Sequence, residues 1–198
     1  MVVIAAMYQR KLALSREVKR GYLRIRHPAK WLIDWLMPAV LTVLSTAAVF
    51  FLARPGAIAG PSGLIDRLAL VSSILPGFYI AALAAISTFN RPDIDEIMPA
   101  PTPTLRIAMG GAHNVVDLTR RRFLAYLFGF LCWESIALLV FCVFSGVVAD
   151  GAMRHLGGAA QIGKGVFLAA TFMLFWQLIC ATCLGIYYLA DRLNRPTY

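Results

Sequence analysis

Charge is what this 198-residue sequence has least of. Only 15% of its residues are Asp, Glu, Lys or Arg, 60% are hydrophobic, and the mean hydropathy is +0.71. A soluble domain carries about 25% charged residues, so an ordinary water-soluble globule is excluded. Histidine is scarce as well. His27, His113 and His155 all fall outside the long apolar runs, which leaves an intramembrane haem without its usual axial ligand. All four cysteines, at 132, 142, 180 and 183, lie inside apolar runs, so the outer loops have none with which to build disulfides. There is no Walker loop, zincin motif or G-x-S-x-G, and Asp93, Asp95 and Glu96 match no calcium loop. The chain reads as a non-enzymatic protein with no cofactor and no metal.

What is present is four apolar runs, about 31–53, 64–89, 123–149 and 165–190. Each exceeds the roughly 20 residues that cross a hydrocarbon core as a helix. The polar segments are too short for a separate soluble domain. The expected architecture is therefore all-α, an integral membrane four-helix bundle over 31–190. A basic lead over 1–30, a loop over 90–122 and a tail over 191–198 complete it. Lead, loop and tail together hold fifteen Lys and Arg; the opposite side holds four, Arg54, Arg67, Arg154 and Lys164. That asymmetry predicts both termini and the loop in the cytoplasm. The net charge of +9 then reflects topology and attraction to anionic lipids rather than direct nucleic-acid binding. The outer segments "RPGAIAGPSG" and "DGAMRHLGGAAQIGKG" are too small for a receptor domain.

The lead opens "MVVIAAMYQRKLALSR", with apolar residues ahead of its charges. That is the reverse of a secretory leader, so the N-terminus is expected to remain in place. Leu14, Val18, Tyr22 and Ile25 share one face of a helix, with Arg16, Lys19, Arg20 and Arg24 spread over the rest. Such a helix lies along lipid headgroups, with Pro28 ending it and Trp31 and Trp35 anchoring the boundary; the alternative is a docking surface for an acidic partner. Asp34, within one turn of that boundary, is expected to reach water or to pair with Lys30.

The loop begins "RPDIDEIMPAPTPTL", whose prolines at 92, 99, 101 and 103 favour an extended polyproline course. Asp117 or Thr119 is placed to cap the third helix. Closure between adjacent helices needs only a few residues, so the length suggests a second role. Docking candidates are Asp93, Asp95, Glu96, Arg106, Arg120, Arg121 and Arg122. The three acids read equally as a solvated face or as counter-charges for Arg120 to Arg122. On the second run, Pro76-Gly77 should bend the helix near its centre, followed by a small-residue face.

The third run carries a lone acid in "LCWESIALL". Glu134 lies about 17 Å from Phe123 along its helix, and Gln177 about 20 Å from Ala190 on the antiparallel fourth. The two come out nearly level, with desolvation favouring a neutral Glu134. An interhelical polar clasp, an acidic ring lining an oligomeric pore and a proton-coupled transport site all remain open.

Two resemblances bear on function. "CATC" on the last of four runs resembles vitamin K epoxide reductase and related quinone-linked disulfide enzymes, which implies membrane redox chemistry. In that family the motif sits at the outer end of its helix, fed by a cysteine pair in an outer loop. Here Cys180 is about 22 Å from Gly165 and the loops lack cysteine, so packing is the expected role. The block "FNRPDIDEIMPAPTPTL…LTRRRFLAYLFGFL", with four spans and cytoplasmic termini, resembles the small four-helix membrane subunits of bacterial antiphage systems, most of all the Kiwa membrane component. That resemblance implies an oligomeric inner-membrane sensor of phage infection that works with a soluble DNA-binding partner. The expected function is thus a homo-oligomeric sensor or scaffold docking a soluble cytoplasmic protein. The alternatives are a small pore lined by Glu134 and an accessory subunit of a larger membrane complex.

Overall fold

The computed structural model describes residues 21–28, 30–53, 57–58, 62–88, 90, 92–109, 112–156 and 160–192. Side chains at 92, 106–109, 112–114, 149–150, 152–156 and 191–192 are excepted. Four helices are long and apolar enough to cross a membrane, as expected, and they mark a multi-pass membrane protein. They are α1 (Leu32–Leu52), α2 (Leu64–Thr88), α3 (Arg120–Leu156) and α4 (Ala160–Tyr187). α1 opens with a π-helical turn at Leu32–Leu36, and α4 runs into another at Tyr188–Arg192. α2 stays helical through Pro76. Half of the apolar window of α3 is buried against protein, but only 11% of that of α1. Phe51, Phe78 and Phe144 stand exposed, as suits side chains whose solvent is lipid.

The loop departs from the expected polyproline course. After a 3-10 turn at Pro92–Ile94 it forms an antiparallel hairpin, β1 (Thr104–Met109) with β2 (Ala112–Asp117), in the register Thr104 to Asp117 and Met109 to Ala112. The cause is legible in the residues. "TLRIAM" and "AHNVVD" are rich in strand formers, and the Gly-Gly between them is a two-residue hairpin signal. The prolines govern only the stretch before β1.

The chain divides into two compact units, Met1–Lys30, Tyr79–Phe130 and Gly185–Tyr198 in one, Trp31–Phe78 and Leu131–Leu184 in the other. The first unit has an apolar core that includes Tyr22, Ile25, Ile94, Met98, Leu105 and Leu127. Tyr22 stacks on Phe130 with ring centroids 4.8 Å apart, and the Lys30 ammonium sits 4.3 Å from the Tyr22 centroid, a cation–π contact. Here the expectation for the lead is corrected. Tyr22 and Ile25 are buried in protein rather than lying on lipid, Tyr22 against the ring of Phe130. Leu14, Val18, Arg16, Lys19 and Arg20 lie outside the described residues; Arg24 is exposed.

The second unit is held by contacts that do not need water to drive them. The Trp176 indole N–H donates to Ser45 Oγ at 2.9 Å, joining α4 to α1, and Phe141 stacks on Phe167 at 5.4 Å. For Asp34 one of the two expected arrangements, the reach to water, is corrected. Its place in the sequence suggests the water boundary, yet it is buried at 2% exposure within the π-helical turn. Trp31 and Trp35 are exposed, in keeping with an anchoring role.

Two substitutions test this packing. A Cβ at Gly21 would lie 2.6 Å from ring carbons of Tyr126, so Gly21→Ala should destabilise the protein by about 1–3 kcal/mol. Adding Tyr126→Leu should recover most of that loss, as read by denaturation in detergent micelles. Ser45→Ala should cost about 0.6–1.7 kcal/mol in the same assay.

Candidate functional site

Three arginines open α3, at the end of a helix where positive charge is disfavoured by the backbone dipole. The structure shows how the first two are compensated. Arg121 donates from Nε and Nη2 to Oδ1 and Oδ2 of Asp95 at 2.7 and 3.0 Å, a bidentate pair. Its Nη1 donates to the Ile86 carbonyl at 2.8 Å, one of the last carbonyls of α2, which have no donor within their own helix. One guanidinium therefore caps α2 and fastens the acidic turn. Arg120 donates from Nη1 to the Asp93 carbonyl at 3.0 Å and lies 3.5 Å from Oε2 of Glu96. Its backbone N–H donates to the Glu96 carbonyl at 3.1 Å. Arg122 is exposed, and its N–H donates to Thr119 Oγ1 at 3.4 Å, so Thr119 caps the helix as expected; Asp117 belongs to β2.

The backbone ties the rest of the segment into a platform. Arg26 and Thr104 exchange N–H···O=C bonds at 3.0 and 3.2 Å, which brings the lead beside β1. Met98 donates to the Leu118 carbonyl at 3.1 Å, Leu118 donates to that of Pro103 at 3.1 Å, and Ile97 bridges to Thr119. Ile94, Met98, Leu105 and Leu118 are buried beneath. Against this, Ile97 and Val115 are each 59% exposed, two β-branched apolar side chains turned out from a segment whose other large apolar residues include buried Ile94, Met98, Leu105 and Leu118.

Of the docking candidates, Asp95, Glu96, Arg120 and Arg121 thus meet one another, Asp93 contributes its carbonyl, and Arg122 stands open. The side chain of Arg106 lies outside those described. Composition of the loop pointed to its charges but not to Arg26, Ile97 or Val115. Arg26 acts through its backbone, which leaves no mark on residue type, and the two apolar residues read as ordinary strand formers.

Glu134 and Gln177 are both buried, at 6% and 8% exposure. Among the described residues no side-chain hydrogen bond joins them; Glu134 makes a polar interaction with another group. No group of three or more His, Cys, Asp or Glu side chains among those described is placed to hold a metal ion.

No family model matches the chain, and neither the curated proteins nor the solved structures contain a match to it.

The hydrogen bonds from Arg121 hold the Asp95 carboxyl below the usual carboxylate range, with the nearby positive charge adding to the effect against some desolvation. A depressed carboxylate contributes stability that is present above its unfolded pKa, about 3.9, and lost as pH falls through the folded value. The platform should therefore be indifferent to pH between about 5 and 8 and loosen below about 4. Arg121→Ala should raise amide hydrogen exchange across 97–119 several-fold, Arg121→Lys less so because a lysine makes no bidentate pair, and Arg122→Ala hardly at all.

Proposed function

We propose that this protein is a non-enzymatic sensor or scaffold of a bacterial inner membrane that docks a soluble protein on its folded connection between α2 and α3. The supporting observation is the platform. A segment that only had to join two helices would need a few residues. This one is instead built, pinned at Arg26, Arg120 and Arg121, and it presents Ile97 and Val115 to solvent. Exposed apolar residues rimmed by charge are the composition of a protein-binding surface. The charge asymmetry assigns this face to the cytoplasm with both termini, so the partner is a cytoplasmic protein. The resemblance to antiphage membrane subunits suggests that the stimulus is infection. The burial of Glu134 supports a role inside the protein more than a place on a pore lining.

Two measurements bear on this. A reporter enzyme fused after Tyr198 should be active on the cytoplasmic side only; activity outside would reverse the assignment. The detergent-solubilised protein should retain the product of a neighbouring gene on an affinity column. Ile97→Asp with Val115→Asp should reduce that recovery at least several-fold while the hydrogen exchange of the platform stays near wild type. Full recovery with both aspartates in place would remove the docking surface from the account.

A further inference from the structure

Hydroxyls in membrane helices usually satisfy themselves on their own backbone, since lipid offers no partner. Seven on these helices do so, for example Ser73 to the Leu70 carbonyl at 2.7 Å and Thr171 to that of Phe167 at 2.9 Å. Thr42 and Ser45 instead bond across to Met173 and Trp176, and two have neither kind of partner. The Oγ of Ser72 and the Oγ1 of Thr46 are buried and make no hydrogen bond to any described residue. Ser72 is only 1% exposed as a whole. Each has a carbonyl one turn back, at Leu68 and Thr42, that would serve.

Ser72 carries a second need. The helix would bring the N–H of residue 76 to its carbonyl, and residue 76 is proline, with no N–H to give. Within 1% exposure, then, one residue holds a hydroxyl with no partner among the described residues and a carbonyl whose usual helical donor is missing. In the apolar layer a group of this kind left unpaired is strongly unfavourable. Yet α2 is helical without a break from Leu64 to Thr88, so something answers for the missing donor.

Thr46 offers a further oxygen at a compatible depth. It lies six residues before the end of α1 at Leu52, and Ser72 eight residues after the start of α2 at Leu64. At 1.5 Å per residue the depths from the shared outer turn are about 9 and 12 Å. The two hydroxyls belong to the same compact unit. Three such oxygens at similar depth match the capacity of a single buried water, which makes about three hydrogen bonds. A hard cation takes about six oxygens or more, and no carboxylate is among these three.

We propose that one water molecule is bound inside the apolar layer at Ser72. It donates to the Ser72 carbonyl in place of the missing residue-76 amide and completes its bonding with the hydroxyls of Ser72 and Thr46. The site lets α2 keep its course through Pro76, and it is a hydrated point in a layer that is otherwise dry.

Magic-angle-spinning NMR of the whole protein in bilayers of deuterated lipid tests this, with magnetisation transferred from water to amide protons. Wild type should show transfer at Ser72 and its immediate neighbours, separated along α2 by silent residues from the wet helix end. Ser72→Ala and Thr46→Val should each weaken that signal, and the double variant should abolish it. Pro76→Ala, which returns an N–H to the carbonyl, should weaken it as well. Silence at Ser72 in wild type, with transfer intact at the helix ends, overturns the proposal. So does transfer along the whole of α2, which would mean a water-filled channel, or an undiminished signal in the double variant.

Discussion

The hydrocarbon layer offers no hydrogen bonds, and most of this structure is an answer to that fact. In the unit formed by Trp31–Phe78 and Leu131–Leu184 polar side chains are buried beside apolar ones such as Leu131, Leu138 and Leu178, while the surface is itself apolar. Every buried polar side chain among the described residues, from Asp34 and Thr42 to Thr171 and Gln177, belongs to this unit. Its surface is phenylalanine, valine and leucine. Lipid solvates those side chains as well as a protein interior would, so their burial contributes little to helix association. Cohesion comes instead from stacking, as between Phe141 and Phe167, and from bonds such as that of Trp176 to Ser45.

The other unit obeys the ordinary order. Its core is Tyr22, Ile94, Met98, Leu118, Leu124 and their neighbours, and its charges are outside. Its problem is electrostatic. Three successive arginines are useful for fixing the side of the membrane on which α3 begins, but they stand at the positive end of that helix's dipole. Asp95 and Glu96 neutralise two of them, and the α2 carboxy terminus, which carries the opposite partial charge, receives Arg121 through the Ile86 carbonyl. A requirement of topology is thereby turned into a fastening. The segment between the acids and the arginines has its ends drawn together, and the hairpin of 104–117 lies between fixed points.

Membrane spans were plain in the sequence because four apolar runs with few charges, each long enough to cross the hydrocarbon layer, have no place in a small soluble domain. The pairing of the acidic knot with Arg120 and Arg121 was one of two readings that the residues allowed, and opposite charge about 25 positions apart cannot by itself say which. The hairpin was hidden by the prolines at 99, 101 and 103, which dominate the composition of the loop while acting only on its first half; the Gly110-Gly111 pair was the better guide. The exposure of Asp34 was misjudged because distance from a helix end measures depth along the axis and says nothing of which way the side chain faces. The same limit applied to Glu134 and Gln177. Equal depth on antiparallel helices brings two residues to one level, but rotation about each axis decides whether they bond.

The two units therefore rest on different forces, and this has a functional consequence. The platform depends on water, both for burial of its apolar core and for the dielectric in which its ion pairs are exposed. The lipid-facing unit depends on packing and on hydrogen bonds that have no competitor. A change in the bilayer would act most directly on the second, whereas a protein bound to the platform would act on the first. In a sensor or scaffold of the kind proposed, that separation is a useful property. The surface offered to a partner can keep its own stability and its own shape while the part that meets the membrane responds to it. Such a response needs a place where helical hydrogen bonding is already incomplete, and within the apolar layer Pro76 supplies one on α2, the helix whose last turn Arg121 holds.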